Sequence, residues 1–395
     1  MTDVDPTLAP PSEHLLRLPA LPTDMGYGEE HALLRASARR LLSEKSDLGA
    51  VRRLASDSRG FDPALYRELA ELGWLTVHGE ARLGPLHLAV LLEEMGRVLL
   101  PSPYFATLMA SLAIDVAGSQ TQQQALLPAL ASGDRLASLA LDEPRGGPDG
   151  EPSALRAEPD GGDFVLSGEK VHVPWGEHAT LVVVAAREPG GGFGFYAVPL
   201  PTAGVGVEPE TSVDTTRRAA RVAFHAARVP ASARLDGDGR SCLERLRTAG
   251  ALLVAAEMVG AADAVLELTR SYACDRVQFG KPIGSFQAVK HPLVDLMMGV
   301  ELGRSLVYGG ASLLTEGALV DATPVARMAK AHAADTLAFA VKKGVQLHGG
   351  FGFTWDADVH FFFKRMLATR ASFGDAAHHK KRLAARLFGP LPDEP

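Results

Sequence analysis

The chain reads as an α+β protein of several domains: an all-helical N-terminal domain, a small middle β-barrel or sandwich domain, and a C-terminal four-helix bundle. Three observations predict this. From Glu29 onward apolar residues recur at helical spacing. Near Arg135 the pattern changes to short alternating runs broken by Gly, Pro and Asp. Between Leu243 and Leu387 the helical spacing returns, and four to five long helices after a β domain indicate a bundle. The expected divisions are 1–27, 28–134, 135–240 and 241–395.

Taken in order, residues 1–27 carry Pro6, Pro10, Pro11, Pro19 and Pro22 with little periodicity, which predicts a loose leader. Helices follow from His31, Leu33, Leu34, Ala38, Leu41 and Leu42, from Leu65, Leu69 and Leu72, from Leu86 to Leu100 around Glu93-Glu94-Met95-Gly96-Arg97, and from Ala125 to Ala131. In the middle domain Phe164–Leu166, Thr180–Ala186, Phe193–Val198 and Ala220–Phe224 read as strands. The run Gly190-Gly191-Gly192-Phe193-Gly194 has no helix after it, so it predicts a hairpin turn rather than a phosphate loop. Toward the C-terminus, Leu252, Ala255, Val259, Ala262, Leu266 and Thr269 form one helical stripe, and Phe286, Val289, Leu293, Leu296 and Val300 form another. Gly280, Pro282 and Gly284 between them predict a helical hairpin. Further breaks are expected near Gly309-Gly310, at 315–317 and at Gly349-Gly350. Pro292 falls inside the second stripe, where an interior proline costs roughly 3 kcal/mol unless the helix kinks or begins there.

With 395 residues the chain has room for two or three domains. A net charge of -7 offers no basic field, so nucleic acid and anionic lipid are disfavoured as partners. The two cysteines, Cys242 and Cys274, sit inside helical patterns, which predicts free buried thiols in a reducing cytoplasm. No apolar run approaches the ~20 residues that a spanning helix needs, so no membrane association is expected. His378 and His379 are adjacent, and neighbours on a helix point about 100° apart. A solvated, basic last helix is expected there, and no metal.

The stretch from Arg276 to His291, RVQFGKPIGSFQAVKH, resembles the signature that opens the C-terminal bundle of the acyl-CoA dehydrogenases, flavoenzymes that desaturate CoA thioesters. Leu69 to Trp74, Glu93 to Arg97 and Pro101 to Pro103 resemble phrases of the family's N-terminal domain. Gln346-Leu347-His348-Gly349-Gly350 resembles its glutamine and paired glycines. The resemblance implies FAD as cofactor and an acyl-CoA substrate. It also implies that Arg276, Phe279, Phe286, Gln287, Gln346, Gly349 and Gly350 contact the FAD bound by a neighbouring subunit. On the residues alone, Arg276 and Gln287 are solvated helix ends, and the glycines are a helix C-cap.

Other positions depart from the family. Its chemistry needs a carboxylate that takes a proton from the carbon beside the thioester carbonyl. Phe373 stands at the usual base position, and Gly250 at the alternative one used by the isovaleryl-type branch. Neither has a basic atom. Asp375 is a weak candidate that reads better as a helix N-cap. Glu257 reads as a paired structural carboxylate. In the flavin-facing phrases, Asp142 and Pro148 replace hydroxyls, His172 replaces a tryptophan, and Pro174 replaces a hydrogen-bonding threonine. Trp175 could stand in for that tryptophan only if the register slipped. Residues serving a neighbour's FAD therefore look intact, and those serving the chain's own flavin and substrate look eroded. This resembles bacterial α2β2 members in which one subunit type supplies the base. The expectation is a non-catalytic partner within a hetero-oligomer of homologous subunits. The alternatives are a homomeric enzyme with a displaced carboxylate and a flavin-free scaffold.

Overall fold

The structure is a computed structural model that describes residues 24–389, so residues 1–23 of the expected leader lie outside the described part. Six helices come first: α1 (Glu29–Lys45), α2 (Leu48–Ser56), α3 (Pro63–Glu71), α4 (Pro85–Arg97), α5 (Tyr104–Ala117) and α6 (Gln120–Ala131). Local chemistry starts several of them. Asp47 caps α2 by accepting from the Ala50 N–H at 2.6 Å, Asp62 caps α3, and α3 and α4 each begin on a proline. Leu33, expected on the buried stripe of α1, is 64% exposed. This helix packs chiefly on α4 and buries the narrower line His31, Ala38 and Leu42.

The middle of the chain is one curled sheet: β1 (Ala137–Ala140), β2 (Arg156–Asp160), β3 (Asp163–Pro174), β4 (Leu181–Arg187), β5 (Phe193–Pro199), β6 (Val205–Glu210) and β7 (Ala219–Val229). Its order is β1-β4-β2-β3-β7-β6, with β5 along the other side of β4. Short β1 and β2 both run parallel to β4, opposite Leu181–Val184 and Arg187 in turn, which bends the sheet. The glycine run 190–192 turns the β4–β5 hairpin. β1, β2 and β6 went unread in the sequence because β1 is buried along its whole length, β2 is largely polar, and β6 is interrupted by Gly206 and Pro209 with no residue fully buried.

The bundle follows: α7 (Gly239–Asp275), a two-stranded hairpin of β8 (Val277–Gln278) and β9 (Lys281–Pro282), then α8 (Gln287–Thr315), α9 (Leu319–Leu347), α10 (Val359–Ala371) and α11 (Ala376–Phe388). The expected break at Gly309-Gly310 does not occur, and α8 runs through it. A Cβ on Gly310 would lie 2.7 Å from Leu252 Cδ1, so the glycine serves close packing against α7. α8 also carries Pro292 in its second turn. Contrary to the sequence reading, α7 is long and apolar enough to cross a membrane by length and composition. In the fold 83% of its apolar window is buried, as in a core helix. Cys242 is buried as expected, whereas Cys274, on the outer side near the end of α7, is exposed.

Helices α4 and α7 cross with their backbones in contact. A Cβ on Gly96 would run into the Glu257 carbonyl, and one on Gly260 into the Glu93 carbonyl. Beside the crossing Glu93 and Glu94 are fully buried. Glu93 accepts from Arg35 (2.9 Å), Arg304 (2.8 Å) and the Tyr308 hydroxyl (2.6 Å), and Glu94 accepts two hydrogen bonds from Arg39. Buried charges persist when paired and hydrogen-bonded, and these tie α1, α4 and α8 together.

Candidate functional site

Two places concentrate the residues singled out in the sequence. The first is one end of the bundle. α7 stops at Asp275, and the β8–β9 hairpin projects from it with Arg276, Val277, Gln278 and Phe279 all exposed, Phe279 at 91%. Phe279 and Gly280 both have φ in the left-handed region, 54° and 75°, which folds the tip. Phe286 sits edge-on to Phe279 at 6.0 Å, with the Lys281 ammonium 4.4 Å from its ring centre. Gln287, which opens α8, is exposed. The turn after α9 is held beside this hairpin by Tyr272. Its ring stacks on His348 at 4.4 Å, and its hydroxyl donates to the His348 carbonyl. Gln346, Gly349 and Gly350 are exposed there. Gly349 has φ 63°, and among the described residues beyond their chain neighbours neither glycine has an atom within 4 Å of where a Cβ would stand. The arrangement offers a cation, two amides, aromatic faces and bare backbone, a set suited to a dinucleotide approaching from outside. Among the described residues, the Arg276 guanidinium meets no carboxylate.

The second place is a cavity of about 940 Å³ between the sheet, α5, α7 and the α10–α11 loop. It is lined by most of the expected flavin-facing phrases, from Asp142 to Pro148 except Arg145 and from Val171 to Pro174 except Val173, and by the expected base loop, Ala371 to Asp375. None of the exposed residues at the bundle end lines it. His172, at the tryptophan position, has φ 52°, and its Nδ1 lies 2.9 Å from Glu210 at the rim. Trp175 does not take its place: it is buried beyond the end of β3, edge-on to Phe61 at 5.5 Å.

The two candidate base positions pack against each other. A Cβ on Gly250 would lie 2.6 Å from Cδ1 of Phe373, so the ring fills the space that a side chain at 250 would need. Phe373 itself has φ 54° and stands edge-on to Phe105 at 6.3 Å. Gly250→Ala alone is therefore expected to destabilise the chain by about 1–3 kcal/mol, the usual cost of overpacking. In a Phe373→Ala background the same change should be nearly neutral. A denaturant double-mutant cycle measures this coupling, and additivity of the two changes would show that the ring moves aside freely.

Asp375 caps α11 by accepting from the His378 N–H at 2.8 Å. Glu257 is buried and accepts from Arg365 at 2.6 Å as well as from Arg217, so both its oxygens are engaged. The last helix is not uniformly solvated, because His379 is 3% exposed. Lys330, fully buried, donates to the Arg370 and Gly374 carbonyls and so ties down the loop that carries Phe373. Sequence reasoning missed this lysine, which sits in an otherwise alanine-rich helical stretch.

Behind Phe373 a smaller cavity of about 220 Å³ is lined by Arg240, Arg247, Arg327, His378 and Arg382. Asp149, from the loop between β1 and β2, reaches across it to Arg382 (3.0 Å), His378 (3.4 Å) and Arg327 (3.9 Å), while Glu151 meets Arg240 at 2.6 Å. Burial lowers the proton affinity of Arg247 and Arg327, with Asp149 working against it.

The family description "Acyl-CoA dehydrogenase, N-terminal domain" matches residues 28–134, and "Acyl-CoA dehydrogenase, C-terminal domain" matches 237–388. "Acyl-CoA dehydrogenase IpdE2" of Mycobacterium tuberculosis is 31% identical over 345 residues, covering 85% of this chain and 91% of that protein. A variant of the "Tcur3481-Tcur3483 steroid ACAD" superposes with a TM-score of 0.83 at 31% identity, covering 92% of this chain and 98% of the other. The "ChsE4-ChsE5 complex from Mycobacterium tuberculosis" does so with a TM-score of 0.85 at 26% identity, covering 94% and 100%. Two family matches that together span most of the chain, and relatives aligned over nearly their whole length, show that this chain belongs to the acyl-CoA dehydrogenase family.

Proposed function

We propose that this chain is the base-lacking subunit of a heteromeric acyl-CoA dehydrogenase, lending its bundle end to FAD held by a homologous partner. The carrying observation is the interlock of Phe373 and Gly250, which puts carbon at both base positions of the chain's own cavity. Bound FAD supplies the hydride acceptor for α,β-desaturation of a CoA thioester, and the partner's carboxylate takes the proton. This chain's part is to bind and orient. Arg276 presents positive charge to the cofactor, Gln287 and Gln346 present amides, and Gly349 and Gly350 admit it close to the backbone. Pro174 gives the chain's own flavin position no donor, in keeping with the same division of labour. Two further features support assembly. Val294, Met298 and Leu302 leave an exposed apolar line along α8, and the ChsE4-ChsE5 relative is described as a complex. The steroid relative favours a bulky acyl group.

Purified alone, the chain is expected to show no flavin absorbance. Co-expressed with a homologue that has glutamate at a base position, it should give a yellow, active complex. In that complex Arg276→Ala or Gln346→Ala should lower the FAD content severalfold, whereas a flavin-free scaffold would show no change. A yellow, active homo-oligomer of this chain would overturn the proposal. One observation favours such a homomer: Asp142 lines the cavity, and among the described residues its carboxylate has no side-chain partner. Loss of turnover in Asp142→Asn with the fold intact would select that reading.

A further inference from the structure

Away from the cavity and the bundle end, three metal-ligating side chains meet where α1 and α4 begin. His31 and His87 are each the third residue of their helix, and Glu30 precedes His31. The two imidazole rings lie 4.2 Å apart, and Glu30 Oε1 is 3.7 Å from Nδ1 of His31 and 3.7 Å from Nε2 of His87. One ligand atom from each residue falls within 4.8 Å of the other two. We infer that Glu30, His31 and His87 form a binding site for a borderline divalent cation, zinc in the first instance, with water completing a tetrahedral shell.

Donor chemistry selects the ion. Two imidazoles and one carboxylate suit zinc and its transition-metal neighbours, whereas calcium and magnesium call for oxygen throughout. Ligand atoms around tetrahedral zinc stand about 3.3 Å apart, so both carboxylate–imidazole distances are already within a few tenths of an ångström. Glu30 is exposed and can swing, while His31 is buried and fixed. Among the described residues, the one hydrogen bond to Nδ1 of His31 is a long one, 3.3 Å, from the Gly28 N–H, which the ion would replace.

The consequence lies in the seating of α1. Tyr27, just before this helix, stacks on both His31 and Tyr308 of α8, so an ion here would clamp the first helix to α4 and, through that stack, to the bundle. The test uses the full chain, free of any affinity tag and in the assembly in which it purifies, stripped with EDTA and titrated with zinc. Uptake of one zinc per chain with a raised thermal midpoint is expected. His87→Gln and Glu30→Gln, both at partly or fully exposed side chains, should each weaken uptake at least tenfold with unchanged circular dichroism. Cobalt substituted for zinc should give tetrahedral absorption bands that His87→Gln abolishes. No uptake at micromolar zinc overturns the site, and so does uptake that His87→Gln leaves unchanged, since it would then belong to others of the 13 histidines. Flavin content and turnover play no part in the readout, so its failure is separate from failure of the proposed function.

Discussion

Arg365→Ala is expected to destabilise the chain by about 3–5 kcal/mol, the range for removing one partner from a buried ionic group. Arg365 is 1% exposed, and each of its three guanidinium nitrogens donates. It donates to Asp214 at 2.7 Å, Glu257 at 2.6 Å, Thr216 at 2.6 Å and the Leu99 carbonyl at 3.2 Å. Asp214 and Thr216 come from the loop before β7, Glu257 from α7 and Leu99 from the turn after α4, so one side chain joins all three regions. Alanine would leave two buried carboxylates with Arg217 as their nearest remaining cation, and burial already disfavours the charge on Arg217. Lysine should rescue little, because a single ammonium cannot match a planar fork that reaches acceptors in several directions. Urea unfolding of the two variants measures this. A loss below about 1 kcal/mol for Arg365→Ala would mean that water fills the site and solvates the acids.

Acid should destabilise the protein through His379. Burial, then Lys330, His378 and Arg327, push its pKa down to about 3 from the ordinary 6.5. The unfolded chain therefore binds a proton between those values and the folded chain does not. The stabilisation is complete above pH 6.5 and is lost as pH falls from about 6.5 to about 3, amounting to at most about 5 kcal/mol over that interval. His379→Gln removes the titration and keeps a polar side chain. The stability difference between wild type and variant, followed by denaturant titration from pH 7 to pH 4, should drift against the wild type as pH drops. A difference independent of pH would show that the buried ring either stays charged or opens to solvent first.

Much of the architecture was legible because the period of the apolar residues changes where the fold changes. The arm at 276–290 was legible for another reason: glycine and proline cluster where neither helix can continue, and Phe279 and Gly280 do adopt left-handed backbone there. What escaped was set by tertiary contact. Gly310 reads as a helix breaker, yet it lets α8 approach Leu252, and Gly96 and Gly260 carry the same ambiguity. Lys330 and Arg365 are charged residues in helical patterns, where solvent is the default expectation, and only the fold shows that carbonyls and carboxylates surround them. The Phe373–Gly250 contact joins residues far apart in sequence, so two separate departures from the family pattern are one packed unit.

The backbone contact of Gly96 with α7 bears on the order in which the chain is made. Glu93, Glu94 and the apolar face of α4 leave the ribosome well before Gly260, Arg304 and Tyr308, the residues that cover them. At about 5–20 residues per second that interval is roughly 10–40 s. During it Glu93 lacks two of its three partners, Arg304 and Tyr308, and the crossing face of α4 is bare, so a fragment ending near residue 134 is expected to stay loosely packed. The N-terminal domain acquires its final interior only when the bundle docks against it.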